Sequence, residues 1–139
     1  MQYFIVSLFL TSYYSVTVNT DDGDIMNLPS QQKNIEWETY TCPFGWHAQG
    51  LWPRISESQL APVPTCVDRS SDSNLLAVGF SDGEVRLYQF PCVSNEARYR
   101  VQKLHVGPVS KCSFNRDSSL LMTLGEQENA IAVWRICDK

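Results

Sequence analysis

The sequence predicts an all-β chain built from repeated hairpins, and three observations carry that prediction. First, Leu75 to Phe80 is an apolar run closed by Ser81-Asp82-Gly83. A strict alternation follows, with Val85, Leu87 and Gln89 on one side and Glu84, Arg86 and Tyr88 on the other. An Asp-Gly turn between two such runs reads as a β-hairpin. Second, the pattern recurs. Leu75-Leu76 reappears 45 positions on as Leu120-Leu121, Tyr88 reappears 46 on as Trp134, and Cys66 reappears 46 on as Cys112. The Asp22-Gly23 turn stands 60 positions before Asp82-Gly83. Third, no stretch has a convincing helical period. A repeat near 45 with four short strands per unit is that of propeller blades. The expectation is therefore a partial β-propeller of about two complete blades plus part of a third.

Taken in order, residues 1–12 open with the apolar run Tyr3-Phe4-Ile5-Val6 to Leu10. A strand and the core of a secretory leader both fit it, as does a non-native start. The strand is favoured, because no Lys or Arg precedes the run and no Ala-x-Ala follows it. The run is too short for a membrane span. Residues 13–41 read as a partial blade. Val16 and Val18 alternate with Ser15 and Thr17, Asp22-Gly23 turns, Ile25 to Leu28 returns, and Ile35 to Thr41 alternates again as a partly exposed strand.

Residues 42–62 break the pattern with Pro43, Gly45, Gly50, Pro53 and Pro62 around Phe44, Trp46, Leu51 and Trp52. This is an insertion between blades. Its tryptophans are expected to pin the loop, since large apolar side chains are seldom left in water. An exposed aromatic binding surface is the alternative. Arg54 to Leu60 is the best helical candidate in the chain, but it is short and flanked by prolines. Residues 63–103 form the next blade, with Tyr99 to Lys103 as its last strand. Residues 104–139 form a terminal blade with strands at Val109–Asn115, Leu120–Leu124 and Ala130–Ile136.

Composition narrows the function. The 139 residues carry a net charge of −4. The basic residues are scattered, which argues against a nucleic-acid groove. Arg98, Arg100 and Lys103 make the densest basic run, read as a solvated outer strand rather than a binding patch. Five cysteines (Cys42, Cys66, Cys92, Cys112 and Cys137) and two distant histidines lack zinc-site spacing. They read as free, mostly buried thiols, and no metal or cofactor is expected. Asp68 with Asp117, or His47 with Cys42, are the imaginable catalytic pairs, yet no motif sets either, so an enzyme is not expected.

Several of these residues resemble the WD-repeat pattern. That family joins a His before one strand, a Ser or Thr in the next, an acidic turn residue and a Trp in the third strand by hydrogen bonds. His105, Thr123 and Trp134 stand at those places, and the turn acid is replaced within Gln127-Glu128-Asn129. The middle blade keeps Asp82-Gly83 but has Tyr88 for the Trp and no His. His105 is accordingly expected to be structural.

The segment Ile35-Glu36-Trp37-Glu38-Thr39-Tyr40-Thr41-Cys42-Pro43-Phe44-Gly45-Trp46-His47-Ala48-Gln49-Gly50-Leu51-Trp52-Pro53 is more specific. With Phe90-Pro91-Cys92 and the strands that follow, it resembles the C-terminal blades of the echinoderm microtubule-associated protein-like family, whose members carry tandem WD-repeat propellers. Departures lie at Leu60 to Thr65 and Gly125 to Glu128, where the family's turns differ. The family's coiled coil, basic region and HELP motif have no counterpart in these 139 residues. The resemblance implies a non-catalytic, cytoplasmic, cytoskeletal module that binds tubulin or microtubules, with Trp46 and Trp52 as candidate contacts. It implies no cofactor, nucleic acid or membrane. The acidity argues against gripping the acidic tails of tubulin. Because closed propellers use roughly four to eight blades, the chain alone is expected to be unstable or oligomeric unless other blades complete it.

Overall fold

In a computed structural model, residues 3–9, 13–19, 25–26, 33–37, 39–52 and 61–137 are described. Their ten strands form three antiparallel sheets. β1 (Tyr3–Phe9), β2 (Tyr13–Asn19) and β3 (Ile25–Met26) make the first, in that order. The apolar opening of the chain is thus a strand, paired from Tyr3↔Asn19 to Phe9↔Tyr13. β4 (Pro64–Arg69), β5 (Leu75–Phe80), β6 (Glu84–Gln89) and β7 (Tyr99–Lys103) make a four-stranded meander. β8 (Val109–Phe114), β9 (Leu120–Gly125) and β10 (Ile131–Arg135) make a three-stranded one. The chain is a partial propeller: two successive meanders stacked face to face.

The central hairpin forms where the alternation places it. Leu76 pairs with Tyr88 and Val78 with Arg86 across β5 and β6. At the turn, Gly83 has φ +86°, and a side chain there would strike the carbonyls of His105 and Gly107. Glycine is needed both for the left-handed backbone and for the close approach of the next blade. The turns between first and second strands also repeat in detail. Ser73 and Ser118, 45 positions apart, both have φ +59°. Each follows an aspartate whose carboxylate accepts the N–H two residues on, Asn74 from Asp72 at 3.2 Å and Ser119 from Asp117 at 3.0 Å. Short polar side chains that bond their own backbone tolerate this conformation.

β5 is buried on both faces, because something packs on each. On one face Leu76, Val78 and Phe80 join Val67, Tyr88 and Cys92 against Ala48 and Leu51 of a short 3₁₀ helix, Trp46–Leu51. On the other, Ala77 joins Cys66, Val85, Val109, Cys112 and Leu121. A side chain at Gly79 would collide with Val109 and Cys66, so the small residues of β5 set how closely β8 approaches. Full burial of Phe80, Leu76, Val67 and Val78 contributes roughly 1.5–3 kcal/mol each.

One expected strand is not there. Residues 35–37 and 39–41 join no ladder among the described residues. Their backbone bonds locally instead, the Trp37 N–H donating to the Tyr40 hydroxyl at 3.3 Å. Tyr40 is drawn into an aromatic cluster, edge-on to His47 at 4.9 Å and to Phe90 at 5.2 Å between ring centres. The period-2 pattern there reflects an extended segment anchored by side chains, not by a neighbouring strand. The candidate helix at Arg54 to Leu60 and the return beyond Met26 lie outside the described residues.

Candidate interaction site

In the last blade, the residues singled out from sequence form one hydrogen-bonded chain across two strands and a turn. β10 carries Trp134, β9 carries Thr123, and the turn before β8 carries His105. The Trp134 indole N–H donates to Thr123 Oγ1 at 2.9 Å. Thr123 Oγ1 lies 2.8 Å from His105 Nε2, and His105 Nδ1 lies 2.5 Å from Glu128 Oε1. An indole can only donate, so the threonine hydroxyl accepts from Trp134 and has its own proton for His105. In the neutral imidazole the ring proton then sits on Nδ1, facing the Glu128 carboxylate. That contact holds the Glu128 carboxyl below its ordinary range. His105 and Thr123 are 2% and 1% exposed, so the middle of the chain lies inside the protein, while Trp134 and Glu128 at its ends are partly exposed. Glu128 occupies the place of the family's turn aspartate. Sequence located the substitution within three residues, and geometry picks Glu128, whose place in the turn brings its carboxylate to the ring, while the equally long Gln127 lies against Gly107.

The middle blade has no such chain. Asp82 accepts the Glu84 N–H at 3.2 Å and lies 3.7 Å from Lys103 Nζ. Tyr88 packs into the core beside Tyr99, with ring centres 5.1 Å apart. Arg86 lies over the Phe80 ring at 4.1 Å and bonds Glu84 at 2.7 Å.

The two tryptophans of the insertion differ. Trp52 stacks on Phe44 at 4.7 Å between centres, donates its indole N–H to Pro43 O at 2.9 Å, and packs against the core. Its ring and its polar atom are both committed to the loop. Trp46 is half-buried, with the Lys33 ammonium 5.9 Å from its ring centre. It lines a cavity of about 310 Å³ with Trp37, Tyr40, His47 and Phe90. Arg69 of β4 reaches this cluster from behind, 3.9 Å from the Tyr40 ring centre and 5.4 Å from that of Phe90. Burial pulls the His47 imidazole down to about 4, with a further push from Arg69 and an opposing hydrogen bond to the Cys42 backbone. Sequence reasoning missed Arg69. Its only signal was a charged residue in the last position of a strand, ahead of a polar turn.

Of the imagined catalytic pairs, Asp68 and Asp117 are occupied otherwise. Asp68 Oδ2 accepts the Phe114 backbone N–H at 2.7 Å, a bond from one blade to the next, while Asp117 serves its own turn. Thr65 Oγ1 donates to Val109 O at 2.5 Å, and Ser118 Oγ accepts the Ser71 N–H at 2.7 Å, both across the same interface. Cys66 and Cys112 are buried between the blades as free thiols. Among the described residues no cluster of His, Cys, Asp and Glu is arranged to hold a metal, and no helix is long and apolar enough to cross a membrane.

A four-stranded and a three-stranded meander stacked face to face, a buried His–Thr–Trp chain and an aromatic loop packed on them are the marks of a partial β-propeller of the WD-repeat type. The family model of the echinoderm microtubule-associated protein second β-propeller matches residues 6–136. The chain belongs to that family. It is 32% identical over 106 residues to Echinoderm microtubule-associated protein-like 3 of Mus musculus, covering 76% of this chain and 12% of that protein. Against Echinoderm microtubule-associated protein-like 1 of Rattus norvegicus, identity is 32% over 104 residues, 75% of this chain and 12% of the relative. Against Echinoderm microtubule-associated protein-like 4 of Homo sapiens it is 31% over 110 residues, 79% and 11% respectively. The chain thus spans about an eighth or less of the length of these relatives.

Proposed function

We propose that this chain is a non-catalytic interaction module that binds tubulin or microtubules in the cytoplasm, as part of a larger propeller. Residues 63–103 and 104–139 act as two blades, and residues 42–62 as the insertion that presents the aromatic loop. The observation that carries the reading is the second-propeller match across residues 6–136, to a family named for microtubule association. Rigid stacked sheets suit the role, because they hold loops in fixed positions for a partner. Trp46, half-buried at the mouth of its cavity, is the better contact, and Trp52 holds the loop in shape behind it.

Further blades complete the fold. Met122, Ile131 and Val133 are 42%, 70% and 61% exposed on the face of the last sheet turned away from the middle one. That face is where a following blade packs. The net charge of −4 favours contact through shape and apolar loops over capture of acidic tails. The same charge supports the second reading, a WD-repeat scaffold for another intracellular complex.

Co-sedimentation with stabilised microtubules tests the proposal. Saturating pelleting that weakens severalfold in Trp46→Ala, with unchanged circular dichroism, is the expected result. A folded chain that stays in the supernatant at every microtubule concentration leaves the general scaffold.

A further inference from the structure

Two thiols meet in the layer between the meanders. Cys66 stands on β4 opposite Gly79, and Cys112 stands on β8 opposite Thr123. They are not equivalent positions. Each ladder has an irregularity near its start, and the first paired residues after it are Cys66 and Lys111. Cys112 is therefore one step out of phase with Cys66, and one step reverses the direction of a side chain on a strand. The hydrogen bonds show the result. The Cys66 thiol donates to Val109 O and the Cys112 thiol to Ala77 O, each at 3.6 Å and each on the opposite sheet. The two side chains point at one another and are in hydrogen-bonding contact. Gly79 leaves them room: a Cβ there would lie 2.7 Å from Cys66 Sγ.

The pair is unequal. Contact with Cys112, helped by the Thr65 hydroxyl at 3.9 Å, draws the Cys66 thiol below its ordinary range against the effect of burial. The same contact, with burial, holds the Cys112 thiol well above its own. Cys66 ionises first and Cys112 keeps its proton, as in an attacking thiol and its resolving neighbour. Cys92 sits on the other face of β5 with Leu76 and Phe80, its thiol pushed up to about 11 by burial, and Cys137 is exposed.

We infer that Cys66 and Cys112 are a site of peroxide oxidation, closing to a reversible disulfide that staples the two meanders together. Both thiols are buried, so the oxidant is one little larger than water. The Cys66 thiolate attacks one peroxide oxygen, the O–O bond breaks, and the departing hydroxide takes up the thiol proton as water. The Cys112 sulfur then attacks the Cys66 sulfenic acid. An S–S bond forms, the S–O bond breaks, and the Cys112 proton leaves with that hydroxide as a second water. Two thiols lose two electrons and one peroxide gains them. The staple joins residues 46 apart in sequence, which removes freedom from the unfolded chain and stabilises the folded one. It reinforces an interface otherwise held by packing and by the bonds of Asp68, Thr65 and Ser118. In a reducing compartment such a bond is transient and reports oxidation.

The test treats the full chain with hydrogen peroxide, blocks the remaining thiols with iodoacetamide in urea, and maps unreduced peptides by mass spectrometry. A peptide pair joined through Cys66 and Cys112 is expected, with a thermal midpoint raised by about 10 °C and restored by dithiothreitol. In Cys112→Ser the rise should vanish and a dimedone adduct should accumulate on Cys66. In Cys66→Ser the rise should vanish and Cys112 should gain no adduct. Circular dichroism before oxidation checks each variant, and the map of the parent chain decides the matter if a variant does not fold. Alkylation of both Cys66 and Cys112 after peroxide has consumed Cys137 overturns the proposal. A midpoint rise that survives in Cys112→Ser does so too, as does a cross-link from either cysteine to Cys92 instead.

Discussion

Thr123→Val removes one oxygen from the centre of the buried chain and keeps the shape of the side chain. The Trp134 N–H at 2.9 Å loses its acceptor, and the His105 Nε2 at 2.8 Å loses the hydroxyl proton. A buried polar group left without a partner costs about 1–3 kcal/mol. His105 is buried and takes the upper part of that range, whereas Trp134 is half-buried and takes the lower. The sum is about 2–4 kcal/mol. For a folded unit near 100 residues, each kcal/mol moves the midpoint by about 4–8 °C, so a fall of roughly 10–20 °C follows. Thr123→Ser keeps the hydroxyl and deletes one methyl, worth about 0.8 kcal/mol. Urea denaturation followed by tryptophan fluorescence and circular dichroism measures both variants against the parent. The reasoning is refuted if valine costs no more than serine, since the polar chain would then contribute nothing beyond packing.

Three further outcomes are expected. His47 stays neutral in the fold down to about 4, while in the unfolded chain it protonates near its ordinary value of about 6.5. Its contribution is complete above about 6.5 and is lost as pH falls toward 4, on the order of 3 kcal/mol in all. His47→Phe should flatten the stability profile over that window, and an unchanged slope would sink the assignment. Glu128 titrates below its ordinary range because of His105, so its contribution is present at neutral pH and disappears as acid protonates it. In Glu128→Gln the acid limb of the same profile should be shallower than in the parent, and a coincident limb would contradict the pairing. Asp68→Ala leaves the Phe114 N–H without its carboxylate acceptor and should destabilise by roughly 1.5–3 kcal/mol. Native-state hydrogen exchange would read it as faster exchange at Phe114; unaltered protection there would deny the bond any role in holding the blades together.

The strands were legible because side chains alternate wherever one face meets a packed layer and the other meets water or a second layer. Asp82-Gly83 marked the central turn, and the recurrence of Leu75-Leu76 and Cys66 marked the stacking repeat. Both signals are local or periodic. Ile35 to Thr41 misled for the same reason. Its alternation is real, but a strand also needs a neighbour, and Tyr40 finds its partners in His47, Phe90 and Arg69 instead. The His105–Thr123–Trp134 set could be placed by position, yet the identity of its acid needed the geometry of the turn, where Glu128 and not Gln127 reaches the ring. The Asp68 contact was illegible. A carboxylate aimed at a main-chain N–H 46 residues away leaves no mark on the residue that receives it.

That blindness has an evolutionary counterpart. Beside the hydroxyl contact of Ser71 with Ser118, four polar links between the two stacked sheets end on main-chain atoms: Asp68 on the N–H of residue 114, Thr65 on the carbonyl of residue 109, Cys112 on the carbonyl of residue 77, and Ser118 on the N–H of residue 71. Every amino acid carries the carbonyl, and all but proline carry the amide. Each link thus fixes the residue at one end and leaves the other free to drift. Neighbouring units can diverge in composition without co-ordinated change, so long as their spacing is kept. Insertions such as residues 42–62 are accommodated between units, while a single-residue deletion inside a meander would shift every one of these anchors out of register at once.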